Sequence, residues 1–245
     1  MNAKAKIPAD DSRSHLRRFL FLLISILLTL VLGPVLEPFP GMRILLSVFW
    51  SLVLISSVFA ISQKKHAILV AVLLALPFFA EEWTTLFVQS VPVIVIGKLS
   101  GALFFAFVIM HILRFIYGQR EVRGEVLIAA AVVYLMIAVM WSYFYAVLEM
   151  VHPGAFNLPD AAGGVMQNRF VYFSLVTITT LGYGDITPNS GFAASLSMVE
   201  AVVGQLYMTV QVAWLVGIHV ASFYEKRSRR VPGEEKNIGE GNTHG

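Results

Sequence analysis

A short polar segment with two glycines lies between two strongly apolar stretches in the last third of the chain. Residues 177–188 of this segment read TITTLGYGDITP. Its glycines, Gly182 and Gly184, alternate with bulky residues, and glycine permits backbone angles that other residues avoid. An alternating backbone can point successive carbonyl groups in one direction. A column of carbonyl oxygens would bind hard cations without a covalent bond or a proton transfer.

The composition indicates an integral membrane protein. Of the 245 residues, 57% are hydrophobic and only 13% are charged, and the mean hydropathy is +0.74. A soluble domain needs more polar surface than this. The chain has no cysteine, which excludes disulfide bonds, thiolate metal sites and catalytic thiols. Its basic residues occur in short runs beside apolar stretches, a pattern typical of membrane surfaces rather than nucleic-acid sites.

The apolar stretches predict six membrane-spanning helices, since the hydrocarbon core requires about 20 apolar residues per helix. The predicted spans are 19–36, 42–62, 66–80, 91–116, 126–151 and 192–223. The third is shorter than the others and is expected to end at Glu81 and Glu82, in an outer connection. The apolar segment 169–180 is too short to span, and we interpret it as a re-entrant half-helix. The polar loop must then lie at membrane depth, where irregular backbone is tolerated only beside protein or a water-filled path.

The distribution of charge predicts the topology. Basic residues recur in alternate connections, and the other connections carry acidic residues instead. The positive-inside rule therefore places both termini in the cytoplasm, as an even number of spans requires. The polar loop then lies on the outer side of the membrane.

The segment TTLGYGD at 179–185, between a short apolar helix and a long one, resembles the selectivity filter of the potassium-channel pore family. The resemblance implies four cation sites, with the Thr180 hydroxyl closing the inner end. Their ligands would be the backbone carbonyl oxygens of Thr180, Leu181, Gly182 and Tyr183. Thr179 and Gly184 would support this filter. One loop supplies a quarter of each oxygen ring, so the resemblance implies a homotetramer with a closed rotational interface.

Two residues depart from the commonest pattern of that family. Leu181 stands where valine is usual, but its side chain would point away from the ion path. Val176 stands where some relatives have a glutamate that pairs with the filter aspartate. Asp185 must therefore find another donor, and the candidate is Tyr172 of a neighbouring turn or a neighbouring subunit.

Several residues of the last span are candidates for function. Glu200 is ionisable, and it either braces the filter from behind the half-helix or lies solvated near the outer surface. Gly204 matches the hinge of the family's inner helix, with Gly217 as an alternative hinge, or else it permits close helix packing. Gln205 and Thr209 are four residues apart and share a face. They are expected to line an aqueous cavity or to form hydrogen bonds between helices.

The fourth span lacks the series of arginines that a voltage sensor requires. Within it lie Lys98 and, near its inner end, His111 and Arg114. We therefore predict no voltage sensing by an arginine array. The first four spans would support the pore, or bind lipid or an unknown regulatory subunit.

The resulting prediction is an all-α integral membrane protein with six spans, a re-entrant pore helix and a filter loop. Its predicted parts are a basic cytoplasmic N-terminus (1–18), a four-helix membrane domain (19–117), a cytoplasmic linker (118–125), a pore domain (126–224) and a disordered cytoplasmic tail (225–245). The pore domain would contain a pore helix (169–180), a filter (180–185) and an inner helix (192–223).

The predicted function is passive, potassium-selective conduction through a homotetramer in a lipid bilayer, in the plasma membrane of a prokaryote. We expect no enzymatic activity, no cofactor and no nucleic-acid partner; potassium is the conducted species. The alternatives are a weakly selective cation channel and a non-conducting membrane subunit. A pore-loop transporter would need four such loops, and an intramembrane enzyme would need paired catalytic groups; the sequence has one such loop and no evident pair of this kind.

Overall fold

The computed structural model describes residues 9–36, 39, 42–61, 65–84, 90–158 and 166–228, and these residues are mostly helical. Within these ranges the chain forms seven helices and two short strands. They are α1 (Ala9–Leu36), α2 (Arg43–Ala60), α3 (Lys65–Thr84), α4 (Val91–Tyr117), α5 (Gly124–Val151), β1 (Phe156–Asn157), α6 (Met166–Ile178), β2 (Thr187–Pro188) and α7 (Gly191–Ser228).

Five of these helices, α1, α3, α4, α5 and α7, are long and apolar enough to cross a membrane. The apolar part of α2, Ile44–Ala60, is shorter. It reaches the lower limit of about 17 residues for a spanning helix. The prediction of an all-α membrane protein is confirmed, and the six predicted spans correspond to five clear helices and one at this limit.

Several helix boundaries differ from those predicted. Helix α3 continues past residue 80 to Thr84, because the Glu81 side chain is buried against a lysine rather than placed in a loop. Helix α5 begins at Gly124, which shortens the predicted linker 118–125. Helix α6 runs from Met166 to Ile178 instead of 169–180, and a residue with positive φ follows it.

Both predicted terminal segments are partly helical. Helix α1 begins at Ala9, inside the predicted basic terminus 1–18. Helix α7 continues to Ser228, into the predicted disordered tail, since no glycine or proline interrupts the chain between Gly217 and Pro232. Residues 1–8 and 229–245 lie outside the described residues, so the predictions for them stay predictions.

Helix α5 lies at the centre of the packing. It contacts α1 and α4 of the four-helix unit (α1–α4) and also contacts α6 and α7. Within its apolar window 67% of the residues are buried, compared with 11% for α7. The four-helix unit therefore packs directly against the C-terminal unit of the same chain, whereas α7 is left open on most sides.

The segment between α5 and α7 begins and finishes at the same end of these two helices. Strands β1 and β2 pair antiparallel, with Phe156 opposite Pro188, so the two ends of the segment lie side by side. Between them, α6 descends to the middle of the pair: the Tyr134 hydroxyl of α5 donates to the Ile178 carbonyl at 3.0 Å. At about 1.5 Å per residue, Tyr134 lies about 25 Å from the end of α5. This is the geometry of a re-entrant segment.

Candidate functional site

The backbone of the loop after α6 alternates in φ sign. Thr180, Gly182 and Gly184 have φ values of 60°, 58° and 77°. Leu181 and Tyr183, which lie between them, are not in the positive region. This alternation reverses the local handedness at each residue, which is the backbone pattern that lets successive carbonyl groups point to one side.

Thr180 is the only non-glycine residue with positive φ in the part of the chain that the structure describes. A β-branched residue in this region costs about 1–3 kcal/mol unless its surroundings hold it there. The chain supplies such restraint: the Thr180 amide donates to the Thr177 carbonyl at 3.0 Å. The amides of Leu181 and Gly182 both donate to the Val176 carbonyl, at 3.0 and 3.3 Å. The end of α6 thus fixes the start of the loop.

The loop is open in a single chain. The side chains of Leu181 and Tyr183 are 55% and 66% exposed. A Cβ atom built on Gly182 or Gly184 would meet no atom within 4 Å, so positive φ rather than crowding within the chain requires glycine at these positions. The side chains of Leu181 and Tyr183 and the backbone of Gly182 and Gly184 are therefore left uncovered by their own chain.

Asp185, at the outer end of the loop, accepts hydrogen bonds from its own chain. The Tyr172 hydroxyl donates to its Oδ2 atom at 2.8 Å, and the Ile186 amide donates to Oδ1 at 3.1 Å. The sequence left open whether Tyr172 would act within the chain or between subunits. The structure gives the contact within one chain, from the middle of α6.

Glu200 lies fully buried behind α6, where it connects three helices. Its two carboxylate oxygens are hydrogen-bonded to the hydroxyls of Tyr145 from α5 and Ser174 from α6. The Ser174 hydroxyl also lies 2.7 Å from the carbonyl oxygen of Ala138. Of the two positions that the sequence allowed for Glu200, the structure has the one behind the half-helix.

Aromatic rings hold the tyrosine that contacts Glu200. The Tyr145 ring centroid lies 5.0 Å from that of Phe173 and 5.4 Å from that of Phe156, both in edge-on arrangements. Such pairs stabilise by about 0.5–1.5 kcal/mol beyond the burial of their area. The hydroxyl of Tyr145 is therefore held in place from both α6 and β1.

A second buried polar cluster connects the four-helix unit to the start of α6. The Lys98 ammonium of α4 lies 3.5 Å from a Glu81 carboxylate oxygen of α3 and donates to the Gln167 amide oxygen of α6 at 3.1 Å. Gln167 in turn donates to the Ser142 hydroxyl of α5 at 2.7 Å. Glu81 was expected in a solvated outer loop, and that prediction is wrong. Its burial beside Lys98 explains why α3 does not end there.

We expect Lys98→Met to destabilise the fold strongly. The change leaves the Glu81 carboxylate buried without its cation, which costs about 3–5 kcal/mol. For a chain of this size, that corresponds to a fall of roughly 6–20 °C in the unfolding temperature of the detergent-solubilised protein. Intrinsic tryptophan fluorescence during heating would measure it.

The double variant Lys98→Met/Glu81→Gln should regain much of this loss, because the buried Glu81 carboxylate is then removed together with its cation. Arg114→Met, at an exposed arginine of α4, the same helix as Lys98, is the matched control and should unfold like the unchanged protein. Equal unfolding temperatures for Lys98→Met and Arg114→Met would contradict the importance of the buried pair.

Of the other candidates on α7, Gly204 lies against the inner end of α6. A Cβ atom on Gly204 would come within 2.3 Å of the Ile178 side chain, so glycine here permits close packing between α7 and α6. Helix α7 is continuous at this point, and the hinge role of Gly204 stays a prediction. Gln205 and Thr209 are both exposed, and the Thr209 hydroxyl donates to the Gln205 carbonyl at 2.8 Å.

Comparison with known protein families identifies the region that contains this site. Residues 167–218 match a family model described as an ion channel. The match runs from the first turn of α6 through the loop and most of α7. No curated protein matches the chain. The chain is thus a helical membrane protein with a region that matches an ion-channel family, and the loop of alternating φ lies inside that region.

Proposed function

We propose that this protein is a potassium-selective channel that conducts passively through a homotetrameric pore. One observation carries the proposal: φ alternates in sign at residues 180–184, within the sequence TTLGYGD, at the end of a helix that stops at middle depth. The match to an ion-channel family supports conduction, and this loop supports the choice of ion.

Selectivity would come from the backbone of the loop. Four chains would bring together rings of carbonyl oxygens that replace the water shell of a potassium ion. The ligands would be the carbonyls of Thr180, Leu181, Gly182 and Tyr183, with the Thr180 hydroxyl at the inner end. No side chain would need to change its protonation, so the gradient of the ion alone would drive the flow.

The open surfaces of the single chain support assembly. Leu181 and Tyr183 of the loop are exposed, and few residues of α7 are buried by their own chain. Gln205 and Thr209 are exposed on the same helix, although polar side chains are unfavourable against lipid. A tetramer would cover the loop and would direct these two side chains toward a water-filled path.

Two hydrogen-bonded groups would hold the filter in its conducting shape. The contact between Tyr172 and Asp185 ties the outer end of the loop to α6. Glu200 ties α6 to α5 and α7. Because α6 anchors the start of the loop, both groups restrain the same backbone from different sides, and neither would touch the ion.

We expect Tyr172→Phe to weaken the conducting state without changing which ion passes. The change removes one hydrogen bond to a carboxylate, worth about 1.5–3 kcal/mol, while the Ile186 amide bond stays. Potassium current should therefore decline at least about tenfold faster during sustained recording. The measurement is the decay time of macroscopic current in a planar bilayer.

The matched control is Tyr224→Phe, because Tyr224 is 65% exposed near the end of α7. Its current should decay like that of the unchanged protein. If Tyr172→Phe also decayed at that rate, Tyr172 would not support the filter.

Ion flux into liposomes tests the proposed function as a whole. Reconstituted protein should pass potassium down its gradient without added nucleotide, and sodium in its place should give little flux. Native mass spectrometry should give the mass of four chains. Equal fluxes of both ions would favour the weakly selective channel, whereas no flux of either would favour the non-conducting subunit.

A further inference from the structure

An apolar groove lies between α2 and α3 in the four-helix unit. It has a cavity volume of about 450 Å³. Ser51 and Phe59 of α2 and Ile68 and Phe79 of α3 lie among its lining residues, and among the described residues Ser51 is the only polar one in the lining. Helix α2 ends at Ala60 and α3 begins at Lys65, so the two helices run in opposite directions. Phe59 and Ile68 therefore mark one end of the groove, and Ser51 and Phe79 mark the other.

The groove opens toward the hydrocarbon of the membrane. Ile55 and Leu76, which line it, are more than half exposed, and both helices are apolar. Water would not be stable against such a lining, since polar partners are lacking. An apolar ligand from the bilayer is therefore the expected occupant.

The dimensions favour a hydrocarbon chain over a helix of another protein. Ser51 and Phe59 are eight residues apart, so the groove is about 12 Å long. Its volume then gives a mean cross-section of about 40 Å², about half that of a helix 10 Å wide. An extended acyl chain is narrower than a helix and fits this shape.

Positive charge lies at one end of the groove. The Arg18 guanidinium of α1 lies 5.0 Å from the centroid of the Phe59 ring. Lys65 is exposed and lies three residues before Ile68, so it is on the same face of α3 and at the same end of the groove. The positive-inside rule places this end at the cytoplasmic surface. Long basic side chains near a helix end extend toward the headgroup region.

We propose that this groove binds one acyl chain of an anionic phospholipid from the cytoplasmic leaflet, with Arg18 and Lys65 at its headgroup. A guanidinium matches the geometry of a phosphate and forms charge-assisted hydrogen bonds with it. Basic residues at this surface also attract anionic lipids. The site lies outside the region that matches the ion-channel family, and its occupation does not depend on the proposed ion selectivity.

Native mass spectrometry of the full-length protein tests the proposal through binding rather than current. Phosphatidylglycerol should bind about tenfold more tightly than phosphatidylcholine, because both carry a phosphate but Arg18 and Lys65 repel the choline ammonium of the second. Arg18→Gln should remove most of this preference. Arg17→Gln, at an exposed neighbouring arginine, is the matched control and should keep it. Equal affinity for the two lipids in the unchanged protein would overturn the headgroup assignment.

A second pair of variants tests the groove itself. Val72→Phe fills the groove and should weaken binding of both lipids about tenfold. Val70→Phe is matched to it, because Val70 and Val72 are 41% and 39% exposed on the same helix and only Val72 lines the groove. Equal binding by the two variants would show that lipid binds the helix surface without preference for the groove, and it would overturn the proposal.

Fluorescence provides a readout that needs no groove-filling variant. The Trp83 indole donates to the Ser51 hydroxyl at 3.3 Å, which places it at the end of the groove opposite to Arg18. Phospholipid brominated near the end of its acyl chain should quench the emission of Trp83. The Trp83→Phe variant lacks this emission and should be quenched less. The same quenching in Trp83→Phe as in the unchanged protein would contradict an acyl chain at this position.

Discussion

Gly182→Asp is expected to abolish potassium current while the protein still folds and assembles. The Cβ atom meets nothing within 4 Å in its own chain, so the variant has no internal clash. The positive φ of 58° is less unfavourable for aspartate than for most other residues. A tetramer would nevertheless place four carboxylates beside the carbonyl column. They would bind the cation too tightly or block its path.

Current in a planar bilayer measures this effect, and native mass spectrometry checks the assembly. Gly191→Asp is the matched control, because Gly191 begins α7 outside the loop and its added Cβ would also meet nothing within 4 Å. It should conduct like the unchanged protein, since an acidic side chain is favourable in the first turn of a helix. Potassium current of ordinary size from Gly182→Asp would contradict the role of this loop.

Glu200→Val is expected to lower the open probability without changing ion selectivity. Valine removes the acceptor of the buried Tyr145 hydroxyl, whereas Ser174 keeps the Ala138 carbonyl at 2.7 Å. Ser197 remains near this hydroxyl, but the loss of the carboxylate partner from a buried hydroxyl costs about 1–3 kcal/mol. If the conducting state bears this cost, the ratio of open to closed channels falls by roughly five-fold to more than a hundred-fold. Single-channel recording gives both open probability and reversal potential.

Glu200→Gln separates hydrogen bonding from charge. Its amide oxygen can accept from Tyr145, and its amide nitrogen can donate to the Ser174 hydroxyl. We therefore expect open probability close to that of the unchanged protein. Single-channel records of Glu200→Val that match the unchanged protein would reject the bracing role, and a shifted reversal potential would mean that Glu200 affects selectivity directly.

The loop shows which backbone conformations the residue types predict and which they do not. Gly182 and Gly184 indicated two positions of unusual backbone, and both have positive φ. Thr180 has the same conformation, but threonine is a β-branched residue that avoids it, so its residue type did not indicate positive φ. Its conformation depends on hydrogen bonds from the end of α6, which only the folded chain brings together.

Buried charges show a similar division. Glu200 could be singled out because an ionisable residue within an apolar span is costly. Its partners, Tyr145 and Ser174, could not, since hydroxyl groups are ordinary in apolar helices and their contacts depend on how α5, α6 and α7 pack. Glu81 was misplaced because its charge indicated a helix end, whereas Lys98, 17 residues later in sequence, pairs with it inside the protein.

The reversal potential under a potassium–sodium bi-ionic gradient tests the central claim most directly. The purified protein would be reconstituted in a planar bilayer with one cation on each side, and Gly182→Asp would serve as the control for contaminating currents. We predict a reversal potential close to the potassium limit in the unchanged protein and no current in the variant. A reversal potential near zero would contradict potassium selectivity, even with the loop in place.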